Sequence, residues 1–327
     1  MTCSALWRAI PLAIAALPVS ACISTQAGSP MASEASGWAD EGAWELVWSD
    51  EFEGDRIDTG KWGFDVDCWG GGNEERQCYT DRARNATVTD GKLVITAHRE
   101  DFTGPAQPAT MRASAADPDA QASKPFTSAR LTTRGKAAWT YGKIEVRAKL
   151  PQGQGTWPAI WMLPEENFYG TWAASGEIDI LEAVNLGVEC DNHCEKGGEN
   201  TIIGTLHYGG KWPENDLTST ETTYPPVLEG FHTFGIIWEP GRIRWTIDGR
   251  VFAEKRREDW YSTGSPSLDA PFDRPFHLLL NLAIGGGLAE GRALGGVSEE
   301  GFPKQMEVDW VRVWQSRAQG GNPAAGN

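Results

Sequence analysis

Three carboxylates, Glu177, Asp179 and Glu182, fall within the heptapeptide Gly176 to Glu182, with Ile178, Ile180 and Leu181 between them. Acids among apolar neighbours belong to a buried segment, where a carboxylate costs free energy unless it is paired, metal-bound or used chemically. Two carboxyls held in unequal surroundings can act as nucleophile and proton donor. A helix does not bring these acids together: at about 100° per residue, Glu177 stands roughly 200° from Asp179 and roughly 140° from Glu182. A strand places Glu177 and Asp179 on one face but sends Glu182 to the other, because side chains alternate with period two. One extra residue, a β-bulge near Ile180 or Leu181, returns Glu182 to the face of the other two acids. The nearby tryptophans point to sugar as the substrate class, since pyranose C–H faces pack on indole. Two other readings of the trio are outward, solvated carboxylates and a calcium site; the intervening apolar residues disfavour both.

The elements that must position these acids are strands. From Trp44 onward short apolar runs alternate with turn signals, among them LVWSDEF, KLVITAHRE after Asp90-Gly91, GKIEVRAKL, PAIWML, TIIGTLHY, HTFGIIWE, FHLLLNLAI and MEVDWVRVWQ. About a dozen such runs with no long amphipathic helix predict an all-β fold, a β-sandwich. Asp248-Gly249 between apolar runs predicts a hairpin. Residues 101–125, rich in Ala, Pro and Asp without periodicity, are expected to form a mobile surface loop insertion outside the chemistry. The tail, 317–327, is expected to be disordered. No repeat or second domain stands out, so one domain spans 43–316.

The formal charge of −16 argues against nucleic acid or an anionic membrane surface as partner and favours a neutral one. Sixteen Trp and 38 Gly suit a turn-rich β protein with aromatic platforms, although buried packing accounts for many indoles. Trp238, Trp245, Trp310 and Trp314 alternate with apolar residues and are expected in the core or on the outer sheet.

Residues 1–21 read as a signal peptide, with Arg8 near the start and an apolar stretch from Ala9 to Val19 that is too short for a membrane span. Val19-Ser20-Ala21-Cys22 resembles a bacterial lipobox, implying cleavage before Cys22 and lipidation of its thiol; ordinary cleavage after a small residue is the alternative. Residues 22–42, rich in Ser, Ala and Gly, form the expected tether. With no acidic residue at position 23, likeness to lipoproteins implies the outer membrane; otherwise the protein is periplasmic or secreted. Cys68, Cys78, Cys190 and Cys194 remain, an even number in an exported chain, and the local pairs Cys68 with Cys78 and Cys190 with Cys194 are expected among three connectivities. A zinc site at Cys190, His193 and Cys194 is the less favoured alternative.

From Trp44 to Gln315 the chain resembles glycoside hydrolase family 16, in its laminarinase-like endo-β-1,3-glucanase branch. The resemblance runs in order through LVWSDEF, WGGGNEERQCYTDR, TSARLTTRGKAAWTYGKIEVRAKLPQGQGTWPAIWMLP, GEIDILEAVN, GTLHYGGKW and VDWVRVWQ. It implies a jelly-roll β-sandwich of two antiparallel sheets with a concave substrate groove. It also implies retaining hydrolysis, with Glu177 as nucleophile, Glu182 as acid/base, and Asp179 hydrogen-bonding the nucleophile. Trp69, Asn73, Glu74, Arg130, Trp157 and Trp161 match groove positions, and His207 matches a residue on the leaving-group side. Trp212 and Asn281 are further groove candidates, and a core histidine is the plain alternative for His207. Glu51, the Gly91 carbonyl and Asp309 match the ligands of a structural calcium ion, with ordinary surface carboxylates as the alternative. No cofactor is implied for catalysis, and a monomer is expected. The spacing of five resembles the bulged branch, which also holds agarases and carrageenases. The alternatives are a glycosidase or transglycosylase of the same fold acting on mixed-linkage glucan or a galactan, and a non-catalytic β-glucan-binding protein.

Overall fold

The computed structural model describes residues 44–189, 198–223, 225–292 and 296–316. In chain order the strands begin with β1 (Trp44–Asp50), β2 (Gly63–Asp65), β3 (Gln77–Tyr79), β4 (Ala86–Thr89), β5 (Lys92–Pro105), β6 (Gln121–Ser128), β7 (Arg130–Thr132), β8 (Gly142–Lys149) and β9 (Thr156–Pro164). They continue with β10 (Glu177–Glu182), β11 (Ile202–Gly209), β12 (Asn215–Thr222), β13 (His232–Glu239), β14 (Arg242–Ile247), β15 (Arg250–Arg256), β16 (Phe276–Ile284) and β17 (Lys304–Ser316). Two short helical turns, α1 (Ala109–Arg112) and α2 (Gly287–Gly291), complete the set.

A ten-stranded sheet runs β15-β14-β13-β8-β17-β5-β6-β3, with β1 also on β17 and β4 on β5; a seven-stranded sheet runs β12-β11-β10-β9-β16-β7-β2. The two sheets are the layers of the expected jelly-roll sandwich, antiparallel throughout except for the parallel pairing of β3 with β6. Between them lies one apolar core. Ile160 and Met162, Ile178 and Leu181, and Leu278, Leu280 and Leu282 face inward from the seven-stranded sheet. Ile144 and Val146, Phe234 and Ile236, Trp245, and Val311 and Val313 meet them from the other. Each such side chain removed from water contributes roughly 1.5 to 3 kcal/mol, which fixes strand register. Alternation then turns Trp157, Trp161, Glu177, Asp179, His207 and Asn281 to the opposite face of the seven-stranded sheet. Trp238 and Trp245 are core residues, while Trp310 and Trp314 lie half-buried under Arg312 and Lys143.

The hairpin turns fall where predicted. Asp90 and Gly91 (φ 51° and 70°) join β4 to β5, and Asp248 and Gly249 (φ 49° and 79°) join β14 to β15, the left-handed pair a two-residue hairpin needs.

The segment 101–125 departs from expectation. It is not a loop: β5 and β6 continue into it as a hairpin, pairing Phe102 with Lys124, Thr103 with Ser123, Gly104 with Ala122 and Pro105 with Gln121. Only its tip, which holds α1, lacks strand structure. The hairpin arm covers no core on either face, so no apolar alternation marks it in sequence. Its side chains and backbone instead clasp the segment 66–75. Cys68 N donates to the Pro105 carbonyl at 2.7 Å, Lys124 Nζ to the Glu75 carbonyl at 2.7 Å, and Arg112 to the Val66 carbonyl at 2.5 Å.

Candidate active site

Strand β10 carries the acids, and it is bulged. Against β11 the register passes from Asp179 opposite Thr205 to Glu182 opposite Ile203; against β9 it passes from Asp179 opposite Trp161 to Leu181 opposite Ile160. Ile180 and Leu181 both enter the core, and Glu182 regains the face of Glu177 and Asp179. The predicted extra residue is therefore present at the predicted place.

Each glutamate receives an indole N–H. Trp172 Nε1 donates to Glu177 Oε2 at 2.6 Å, and Trp157 Nε1 donates to Glu182 Oε1 at 3.0 Å. His207, directly opposite Glu177 on β11, sets Nε2 3.3 Å from Asp179 Oδ2 and 3.8 Å from Glu177 Oε1. The expected Asp179 to Glu177 hydrogen bond is not formed; Asp179 faces the imidazole instead. That contact is an electrostatic one at poor angle, since Asp179 Oδ2 is buried without a hydrogen bond. Glu177, Asp179 and His207 are also the only group among the described residues whose donors could gather on a metal ion.

Burial, then the charge of Asp179, pushes the carboxyls of both Glu177 and Glu182 well above the usual range. Burial opposes the imidazolium of His207, but Asp179 and the two glutamates outweigh it and hold the ring at about 9. His207⁺ and the Trp172 N–H stand against Glu177 and favour its anion. Glu182 has the Trp157 N–H beside it and the negative charges of Asp179 and Glu177 against its ionisation. These unequal partners favour Glu177 as the first of the two carboxyls to ionise, the order a nucleophile and a proton donor require.

The rest of the groove is built around a buried polar network. Trp161 Nε1 donates to Asn281 Oδ1 at 2.6 Å, Asn281 Nδ2 to Tyr79 Oη at 3.1 Å, and Tyr79 Oη to Glu75 Oε2 at 3.2 Å. Gln77 Nε2 donates to the same Glu75 oxygen at 2.6 Å. Arg130 lies over the rings of Tyr79 and Trp161, at 4.4 and 5.3 Å, and faces Asp65 and Glu75. Those charges hold its guanidinium protonated despite burial.

Several expected residues take other parts. Trp157 is no open platform: at 7% exposed it packs with Val184, Ala283 and Ala289 while serving Glu182. Of the WGGGNEE loop, Trp69, Asn73 and Glu74 are exposed, whereas Glu75 is the acid that enters the network. Trp212, 70% exposed, joins the site through its backbone N–H, which donates to the Trp172 carbonyl at 2.8 Å. Trp172 itself, 38% exposed with its ring 5.5 Å from that of His207, had no place in the expected site. Its one sequence signal is an indole five residues before Glu177. Glu75 and Tyr79 were equally silent, being one acid of an adjacent pair and one aromatic in a three-residue strand.

Cys68 and Cys78 form the expected disulfide beneath the WGGGNEE loop. Cys22, Cys190 and Cys194 lie outside the described residues. Glu51 is held by a bidentate Arg312 at 2.9 Å, which lowers its carboxyl; Asp309 is paired with Arg147; Gly91 sits in the β4–β5 turn. Both carboxylates named for calcium thus already face a guanidinium.

Residues 73–312 match the model for glycosyl hydrolases family 16. The chain is 38% identical over 285 residues to glucan endo-1,3-beta-glucosidase A1 of Niallia circulans, covering 83% of this chain and 38% of that longer protein. It is 40% identical over 281 residues to a beta-glucanase of Rhodothermus marinus, covering 83% and 85%. The solved laminarinase of Rhodothermus marinus superposes with a TM-score of 0.66 at 38% identity, covering 84% of this chain and 98% of that one. A bulged acid strand on a jelly-roll sandwich, with its acids on the groove face, agrees with these matches, and the chain belongs to glycosyl hydrolases family 16.

Proposed function

We propose that the protein is a retaining endo-β-1,3-glucanase acting on laminarin-type β-glucans. The observation that carries this reading is the bulge at Asp179, which gives Glu182 the same face as Glu177. Glu177 attacks the anomeric carbon while Glu182 protonates the departing glycosidic oxygen, leaving a glycosyl-enzyme ester. Glu182, now ionised, takes a proton from water as that water displaces Glu177 and restores the anomeric configuration. Asp179 and His207 hold the charge balance during both displacements. The exposed indoles of Trp69, Trp172 and Trp212 offer flat faces to sugar rings. The choice of β-1,3-glucan is supported by the names of the relatives and by the WGGGNEE loop.

A reducing-sugar assay across laminarin, lichenan, agarose, carrageenan and xylan tests the reading. Laminarin is expected to be cleaved fastest, and Glu177→Gln is expected to cut that rate by roughly a thousandfold or more. Highest activity on agarose or carrageenan would overturn the substrate and leave the mechanism standing. Export with lipidation at Cys22 belongs to the same proposal, supported by the apolar stretch before it. Cys22→Ala is expected to move the protein from the membrane fraction to the soluble one.

A further inference from the structure

The carbonyl of Asp179 stands at the bulge itself. It accepts a hydrogen bond at 2.8 Å from the indole N–H of Trp245, a fully buried residue of β14 in the opposite sheet. The facing layer thus reaches the backbone of the bulge, where regular ladder pairing is interrupted. The indole reaches it through a niche over Gly204 on β11: a Cβ added there would lie 2.5 Å from both Cδ1 and Nε1 of Trp245. Gly204 sits between Ile203 and Thr205, the residues that pair with Glu182 and Asp179 on either side of the register shift. Glycine is required here for the close approach of the ring, since its φ is not of the left-handed kind. Strand β14 also changes register against β15 at Trp245 and Thr246.

From this geometry we infer that Trp245 is a positioning residue for hydrolysis: its indole N–H and the Gly204 niche lock the bulge, and the bulge sets Glu182 relative to Glu177. The physical reason is that regular pairing is interrupted at a bulge, and a buried carbonyl there demands a donor. With the donor removed, the bulge loses its tie to the facing sheet, and Glu182 is no longer held at its set distance from Glu177. Trp245 touches no substrate, so its effect belongs on the chemical step and not on sugar binding. The inference rests on reading Glu177 and Glu182 as the acid pair.

Trp245→Phe keeps an aromatic ring in the core and deletes the N–H. Its kcat on laminarin is expected to fall roughly tenfold to a hundredfold, the scale of a misplacement near 1 Å. Laminarin-oligosaccharide binding, measured by calorimetry on the Glu177→Gln background with and without Trp245→Phe, is expected to stay within about twofold. Trp260→Phe is the control, because Trp260 is another buried indole, donating to the Leu268 carbonyl at 3.1 Å. It is expected to lower Tm yet leave kcat unchanged. Should Trp245→Phe fail to fold, Gly204→Ala displaces the indole by one methyl and gives the same two readouts. Unchanged kcat in the folded variant, or a loss matched by Trp260→Phe, overturns the inference. So does a loss confined to binding. Absence of laminarin hydrolysis by the wild type would overturn the proposed function, an outcome distinct from these.

Discussion

Proton occupancy at the site depends on individual donors. Trp172 and His207 favour the Glu177 anion, whereas Glu182 has one indole against the field of Asp179 and Glu177. Trp172→Phe removes a hydrogen bond to a charged oxygen, and kcat on laminarin is expected to fall roughly tenfold to a hundredfold. The site also destabilises the fold in a pH-dependent way. Raised carboxyls bind protons in the native state that the unfolded chain, near 4.3, has already lost, so stability falls as pH rises from about 4.5 toward 8. His207, held at about 9, acts in the same direction above its unfolded value. Glu182→Gln is therefore expected to match wild type in thermal unfolding near pH 4.5 and to gain roughly 1 to 2 kcal/mol at pH 8. Equal Tm differences at the two pH values would refute this account. Glu177, Asp179 and Glu182 were legible because their spacing fits one face only with a bulge. Trp172 and Glu75 were not, because each reaches the site from a loop or a very short strand without periodicity.

Two elements, strand β10 and the β5–β6 hairpin, divide the work of holding the groove. The first sets the acids through its bulge; the second clasps the loop that carries Trp69. That loop is tied by the Cys68–Cys78 disulfide, by Lys124 to the Glu75 carbonyl and by Cys68 N to the Pro105 carbonyl. Replacing both cysteines by serine is expected to cost about 2 to 3 kcal/mol of stability, as for a short closed loop. Because the loop meets the groove through Glu75 and Arg130, KM for laminarin is expected to rise severalfold with kcat within about twofold. A kcat loss with constant KM would show that the loop serves the chemical step. The periodic strands were readable from apolar alternation, and both Asp-Gly turns from their chemistry. The hairpin at 101–125 was not, because its faces are largely solvent-exposed and polar, so tertiary docking and not amphipathicity gives it strand form.

At the scale of the whole molecule the two sheets share one core, and the Trp245 indole crosses it to the Asp179 carbonyl on the acid strand. The first and last described strands meet on the ten-stranded sheet, where β1 pairs with β17. There Arg312 neutralises Glu51 and Arg147 faces Asp309, so a dication would have to displace guanidinium groups. Tm in EDTA and in millimolar calcium is accordingly expected to coincide, and a calcium-dependent rise would restore an ion to Glu51, Gly91 and Asp309. The sequence by itself determined the all-β class, the bulge and the three acids, because alternation with period two leaves a buried acid no other route to its partner. Tertiary structure alone decided which indole meets which carboxylate, that Asp179 faces His207, and that Glu75 and not Glu74 enters the network. Trp157 with Glu182 and His207 with Asp179 join strands distant in the chain, and even the nearer Trp172 and Glu75 reach their partners through loop packing, which no local pattern encodes.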